Sequence, residues 1–242
     1  MASFTNFQNV LPDPNNTIGS AGQVAGSAGP GYASVSITSE QPMLRDRTNS
    51  GRILARAVAG HKWKIKISYN PMTRADFEPV YTFLLQRRGP LNPFFVSLPQ
   101  YRVPRDSTFA TYAASTNLEA VGAVAAGATS ALIGRSGYSN TTNKTPLPGD
   151  MFTLNATNSN HKKAYMVSRV ETTVDYQSSQ AQPSSSQVRI HFTPGLSKAL
   201  VTGDDFVFHN PLVKVIMAGD VQEYSLNTNN LYSFSLNLEE VQ

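Results

Sequence analysis

Alternation of apolar and polar residues with period two is the dominant pattern along this chain. Trp63, Ile65, Ile67 and Tyr69 alternate with Lys62, Lys64, Lys66 and Ser68. Such a run makes a strand with one buried face, and here the other face is cationic. Val188, Ile190 and Phe192 alternate with Arg189 and His191, and Val213, Val215 and Met217 repeat the pattern. Near the C-terminus Tyr232, Phe234, Leu236 and Leu238 alternate with Ser233, Ser235, Asn237 and Glu239, which predicts a long amphipathic strand that must pair with something. Shorter strands are expected at Leu118–Val124, Ser130–Ile133, Met151–Leu154, Ala164–Val174 and Phe206–Phe208. Arg52–Val58 reads as a partner strand for 62–69, with turns at Gly51 and Gly60-His61. A further strand, Phe94–Leu98, is bracketed by Pro93 and Pro99. Val221–Leu226 reads as a strand entered from a turn at Gly219-Asp220, and Asn227–Asn230 as a loop.

Helical periodicity stands out in one place, residues 73–88. Thr73 is a natural N-cap and Asp76 completes a capping box. Phe77, Val80, Tyr81, Leu84 and Leu85 form a single apolar stripe that reads as core. Arg87 and Arg88 suit the negative end of the helix dipole, and Gly89 suits the C′ position. Pro79 is compatible with a start near Asp76 or with a kink. Residues 99–117 read as a connection.

These elements divide the chain. Residues 1–34 hold Leu11-Pro12-Asp13-Pro14-Asn15-Asn16 and a Gly/Ala/Ser/Pro-rich stretch from Gly19 to Gly31. That composition reads as a flexible N-terminal arm, either disordered or ordered against a neighbour. Residues 35–98 and 210–242 are expected to form one β domain, because the closing strand finds its simplest partner in the N-terminal sheet. Residues 118–209 would be inserted as a small β-barrel or sandwich domain. Inside it, Gly149-Asp150-Met151-Phe152 and Gly203-Asp204-Asp205-Phe206 read as turn-to-strand entries, and Gln177–Gln187 as an exposed hairpin loop.

Composition narrows the function. Charged residues make up 15% of the 242, below the roughly 25% of ordinary soluble domains, so Ser, Thr, Asn and Gln supply the polar surface. The formal charge of +4 is scattered, with short clusters at Lys62/Lys64/Lys66 and Arg87/Arg88, which argues against nucleic-acid binding as the main task. The absence of cysteine excludes disulfides, thiolate metal sites and a cysteine nucleophile. The first 30 residues lack a basic and an apolar region, and no run reaches about 18 apolar residues. A chain made and folded in a cytoplasm, without lipid, is the expectation.

No catalytic constellation emerges. There is no phosphate-binding loop, dinucleotide fingerprint or nucleophile elbow; Gly134-Arg135-Ser136-Gly137 has the wrong spacing. His61, His161, His191 and His209 have no metal-ligand spacing, although His191 and His209 could approach across neighbouring strands. The adjacent pairs Asp204-Asp205 and Glu239-Glu240 would point to opposite strand faces, so neither is preset for acid–base work. The expectation is no catalytic, cofactor or metal residue and no enzyme. The Lys62/Lys64/Lys66 face is the candidate site: a wet sheet face, or a subunit interface meeting acidic groups on the next copy.

Trp63-Lys64-Ile65 with Tyr69-Asn70-Pro71-Met72-Thr73-Arg74-Ala75-Asp76-Phe77, then a helix, Gly89 and Pro93-Phe94, resembles bacteriophage distal-tail and minor-tail proteins. The ending resembles them too, in Tyr224-Ser225, Tyr232-Ser233-Phe234 and Leu238-Glu239-Glu240. Gly149-Asp150-Met151-Phe152, Tyr165-Met166-Val167, Phe192-Thr193-Pro194-Gly195-Leu196 and Gly203-Asp204 resemble their inserted domain. The resemblance spans roughly residues 40–242, and the Gly/Ala-rich arm departs from it. It implies a mainly β fold: a tail-tube-like β-sandwich or barrel with one short helix, plus an inserted small β-barrel of the oligonucleotide/oligosaccharide-binding (OB-like) type. It also implies a structural, non-enzymatic subunit of a tail tip or baseplate. Such subunits form a ring, commonly a hexamer, that joins the tail tube to distal tail or hub proteins, and DNA passes through the lumen. The location would be the virion tail, assembled in the host cytoplasm. Because a cationic lumen would retard DNA, Lys62, Lys64 and Lys66 are expected at a subunit boundary or the exterior. Two alternatives stay open: another tail tube or hub ring protein, and a carbohydrate-binding host-attachment module with Tyr138, Tyr165 and Tyr176 as candidate aromatics.

Overall fold

A computed structural model describes residues 6–57, 60–156, 161–177, 180–219 and 223–241. The expectations placed on Val58, Asp220 and Val221, and on part of the 177–187 loop, lie outside the described residues. The chain forms two units, one running through Val96 and resuming at Val215–Val241, the other Ser97–Lys214.

The first unit begins with a short pair, β1 (Thr17–Ile18) and β2 (Ser27–Ala28). It continues with β3 (Tyr32–Glu40), β4 (Met43–Arg47), β5 (Ile53–Ala57), β6 (Lys62–Tyr69), α1 (Arg74–Arg87) and β7 (Phe94–Ser97). Its sheet, a half-barrel, is completed by three later strands, β14 (Leu212–Met217), β15 (Tyr224–Leu226) and β16 (Tyr232–Glu240), described below. The alternation of residues 62–69 is realised: Trp63, Ile65, Ile67 and Tyr69 are buried while the lysines are exposed. The partner of β6 differs from the expectation. β5 pairs with β4 in a separate hairpin, and β6 lies between β3 and β16. The reason is in the turn: Thr48 N–H bonds Arg52 carbonyl at 2.9 Å and Gly51, at φ 84°, bonds back to Thr48, which folds β5 onto the strand just before it.

Helix α1 has Thr73 as its N-cap in extended conformation. Its hydroxyl meets Asp76 at 2.7 Å, so the capping pair is side chain to side chain. The helix stops where Arg88 (φ 54°) and Gly89 (φ 66°) turn left-handed. Pro79 lies inside the helix. The buried residues are Phe77, Val80, Phe83 and Leu84, while Leu85 is exposed. At 100° per residue the buried arc is centred on Val80, so Phe83 falls inside it and Leu85 outside. Phe83 meets Phe94 edge-on at 5.5 Å and Arg87 stacks on its ring at 4.4 Å. Phe77 packs on Tyr232 and Phe234 of the closing strand, at 4.5 and 5.8 Å, so α1 covers the apolar face of the sheet.

The segment whose composition reads as an arm is folded onto this unit from Gln8 onward. Leu11 is fully buried, and Asn9 and Leu11 bond both sides of Phe95, closing the β7 edge. Asp13 accepts from the N–H groups of Asn15 and Asn16 at 2.7 and 2.8 Å, and the Gln8 amide reaches Thr17 carbonyl at 2.6 Å. Few apolar residues suffice because side-chain amides and carboxylates satisfy the turns.

The second unit holds a 3₁₀ turn (Pro99–Tyr101), α2 (Ser107–Ala113), β8 (Leu118–Ala120), β9 (Ser130–Gly134), β10 (Met151–Asn155), β11 (Ala164–Glu171), β12 (Gln187–Thr193) and β13 (Asp205–Val207). The six strands close a barrel in the order β10-β11-β12-β9-β8-β13, all antiparallel. Phe152 is at its centre, 5.2–5.5 Å from the rings of Tyr165, Phe192, Phe206 and Phe208. The two Gly-Asp turns are built alike. Gly149 and Gly203 adopt φ 97° and 90°, and Asp150 and Asp204 each accept the N–H three residues back, from Leu147 and Val201 at 2.8 and 2.9 Å. A second helix, α2, occupies residues that read as a connection. Asp106 caps it by accepting Phe109 N–H at 2.8 Å, and Phe109, Ala110 and Ala113 are buried.

The last strands return to the first unit. Val213, Val215 and Met217 of β14 are buried and β15 pairs with β16. The sheet order is β3-β6-β16-β14-β7.

Candidate assembly surface

The lysine face lies on the side of the sheet away from α1. Register sets Thr38 and Glu239 beside Lys64, and Ser36 and Asn237 beside Lys66. Lys62 is ion-paired with Glu239, and Lys64 meets Glu40 at 2.9 Å. The Glu40 hydrogen bond raises the Lys64 pKa. Acidic groups on neighbouring strands of the same chain therefore match two of the three lysines, and solvent screens exposed pairs of this kind so that they add little to stability. The remaining face is hydroxyl and amide: Ser34 and Ser68 hydroxyls meet at 2.5 Å, and Ser235 stands across from Ser68.

The other residues singled out in the sequence have structural roles. His61 is buried, 2.9 Å from Ser39 Oγ and edge-on to Trp63. His161 is buried with Nε2 at 2.6 Å from Tyr165 Oη and 3.1 Å from Ser197 Oγ. Burial, with Lys198 and other lysines nearby, pushes its pKa down to about 4. His191 and His209 are not brought onto neighbouring strands: β12 is flanked by β11 and β9, and His209 follows β13 across the barrel order. No group of three or more metal-binding side chains occurs among the described residues. Asp204 is a buried turn residue, and Asp205 lies 4.0 Å from Arg135. Glu240 is buried, with Trp63 N–H at 3.4 Å. Tyr138 and Tyr165 are buried, their hydroxyls bonded to Lys144 carbonyl and to His161. Neither ring can serve as a glycan platform, and of the three candidates Tyr176 alone is exposed.

Two features escaped the sequence reading. On the barrel, Glu171 is buried and held by Arg169, by His191 at 2.9 Å and by Arg189 at 3.3 Å. Burial pushes its carboxyl up, and hydrogen bonds from Arg169, His191 and Arg189, with the charge of Arg169, outweigh this and hold it at about 2. Register across β11 and β12 places Arg169 opposite His191 and Glu171 opposite Arg189. The signal was the shared period-two face of two strands whose pairing the sequence does not print.

The second feature is the β4–β5 hairpin. Its strands pair with each other and with no other described strand, and every residue of β4 is exposed. Met43, Leu44, Ile53 and Leu54 stand in solvent at 46–64% exposure. In the larger sheet, β3 is the end strand, with its outer edge open among the described strands. A two-stranded hairpin alone is at best marginally stable in water, and an open edge is a template for another chain.

Two comparisons with known proteins point the same way. The family model described as “Distal tail protein pb9, A domain, N-terminal” matches residues 11–101. The distal tail protein pb9 of Escherichia phage T5 is 26% identical over 217 residues, covering 88% of this chain and 93% of that one. Both matches make the chain similar to phage distal tail proteins. That similarity supports a structural role in a virion tail, in contact with other tail components. The family match takes in the hairpin, α1 and the folded N-terminal segment. None of the described helices is long and apolar enough to cross a membrane.

Proposed function

We propose that this chain is a distal tail protein, a non-enzymatic ring subunit, six copies to a ring, that joins the tail tube to baseplate or hub proteins and leaves a lumen for DNA. The observation that carries the reading is the β4–β5 hairpin with four large apolar side chains in water, together with the end strand β3, whose outer edge is open among the described strands. A unit that closes one edge of its sheet with its own Asn9–Leu11 segment and leaves the other open has unlike ends. Unlike ends suit head-to-tail contacts, which close into rings when the rotation is a simple fraction of a turn. In this reading the domain boundaries follow the two units, and Lys62, Lys64 and Lys66 stand at a subunit boundary or the exterior rather than in the lumen. Light scattering on the purified chain tests it. A particle about six times 26.3 kDa is the expected mass, with a central hole in negative stain. A monomer at every concentration overturns self-assembly into a ring.

A further inference from the structure

Resting on the ring reading, we infer that the β4–β5 hairpin of one copy docks into the groove between α1 and the Gly19–Gly22 turn of the next copy. The register of the hairpin puts Leu44 opposite Arg56 and Asp46 opposite Leu54. Directly opposed residues share a face, so this face carries a diagonal leucine pair flanked by one cation and one anion. Leu44 and Leu54 are 64% and 50% exposed, more apolar surface than a two-stranded hairpin keeps in water without a partner.

The groove has the matching pattern. It is an open cavity of about 470 Å³ with Ile18, Ala75, Pro79 and Phe83 as apolar lining and Glu78, Thr82 and Gln86 among its polar lining. The small residues Gly19, Ser20, Ala21 and Gly22 line its other side. Beside the apolar lining, Glu78 is ion-paired with Arg74 at 2.6 Å, and both are more than half exposed. The order of charges fits: Arg56 meets Glu78 and Asp46 meets Arg74 as the leucines enter the groove. Hairpin and groove belong to the same unit but are different surfaces, so the contact is heterologous and repeats from copy to copy.

The chain has no cysteine, so an engineered pair reports this contact without background. Leu54→Cys with Gln86→Cys, oxidised or bridged by a short bis-maleimide, is expected to give a denaturant-resistant ladder ending at the ring mass. Each single variant is expected to give none. Arg56→Glu and Glu78→Arg alone are expected to lower ring yield at least tenfold, and the two together to restore it. These positions are exposed, so the variants keep the monomer fold, read by circular dichroism. A ring of full mass with no cross-linked ladder and no charge-swap rescue overturns the docking site and leaves the ring reading standing. No ring from the unaltered chain overturns both.

Discussion

The barrel and the first unit solve the same problem, a sheet with edges, in opposite ways. The barrel closes on itself, so its six strands bond each other all round and its aromatic core is sealed about Phe152. The first unit covers one edge with its own N-terminal segment, leaves β3 open among the described strands and extends a hairpin into solvent. A closed barrel has no edge to offer a partner. Bonding capacity left unused in the first unit is therefore where assembly is to be sought, and the barrel is free to vary its surface.

The comparison breaks most sharply at the barrel core. Phe152→Ala removes the ring that touches four others, and an expected loss of about 3–5 kcal/mol is read by chemical denaturation. Assembly driven by the first unit is expected to survive under native conditions. Loss of the ring together with the barrel would erase the distinction between the units. Glu171→Gln should cost about 1–3 kcal/mol, because Arg169 and Arg189 lose a charged acceptor in a buried site. The unfolding midpoint in denaturant checks it.

Acid separates the units next. Glu171, held at about 2 against an ordinary 4.5, stabilises the fold fully above pH 4.5 and progressively less as pH falls toward 2. His161, held at about 4 against 6.5, is neutral when folded. Unfolding lets it take a proton, so its burden grows as pH falls from 6.5 to 4. Both groups are on the barrel, so tryptophan emission from Trp63 in the first unit is expected to change after the barrel's tyrosine signals in an acid titration. Simultaneous change at every pH would contradict the separation. Lys66→Ala is the smallest effect, within about 0.5 kcal/mol of the parent by thermal melting, since Ser36 and Asn237 are its cross-strand neighbours.

Much of this fold was legible from period-two alternation. Residues 62–69, 188–193 and 232–240 show it because each strand buries one face, and the barrel strands were found between their turn signals. The Gly-Asp turns were legible because the left-handed glycine and the aspartate acceptor are both local. Pairing was not. Arg52–Val58 looked like a partner for β6, and the hairpin turn at Thr48–Arg52 claimed β5 for β4 instead. The order of residues 8–34 was hidden because Gln8 and Asp13 act through specific hydrogen bonds that composition does not register. α2 lay behind a single cap, Asp106, and a stripe of only three apolar positions. At the candidate surface the lysines were visible and their partners Glu40 and Glu239 were not, since those come from strands distant in sequence.

Hydrogen exchange followed by mass spectrometry, on the assembled chain and on the same chain diluted to monomer, tests the central claim most directly. The account predicts that amides of Met43–Arg47, Ile53–Leu54 and the outer edge of β3 are protected in the assembly and exchange freely in the monomer. Amides of the barrel strands should be equally protected in both. Hairpin amides exchanging at the same rate in the two states, or protection gained on the barrel instead, would contradict it.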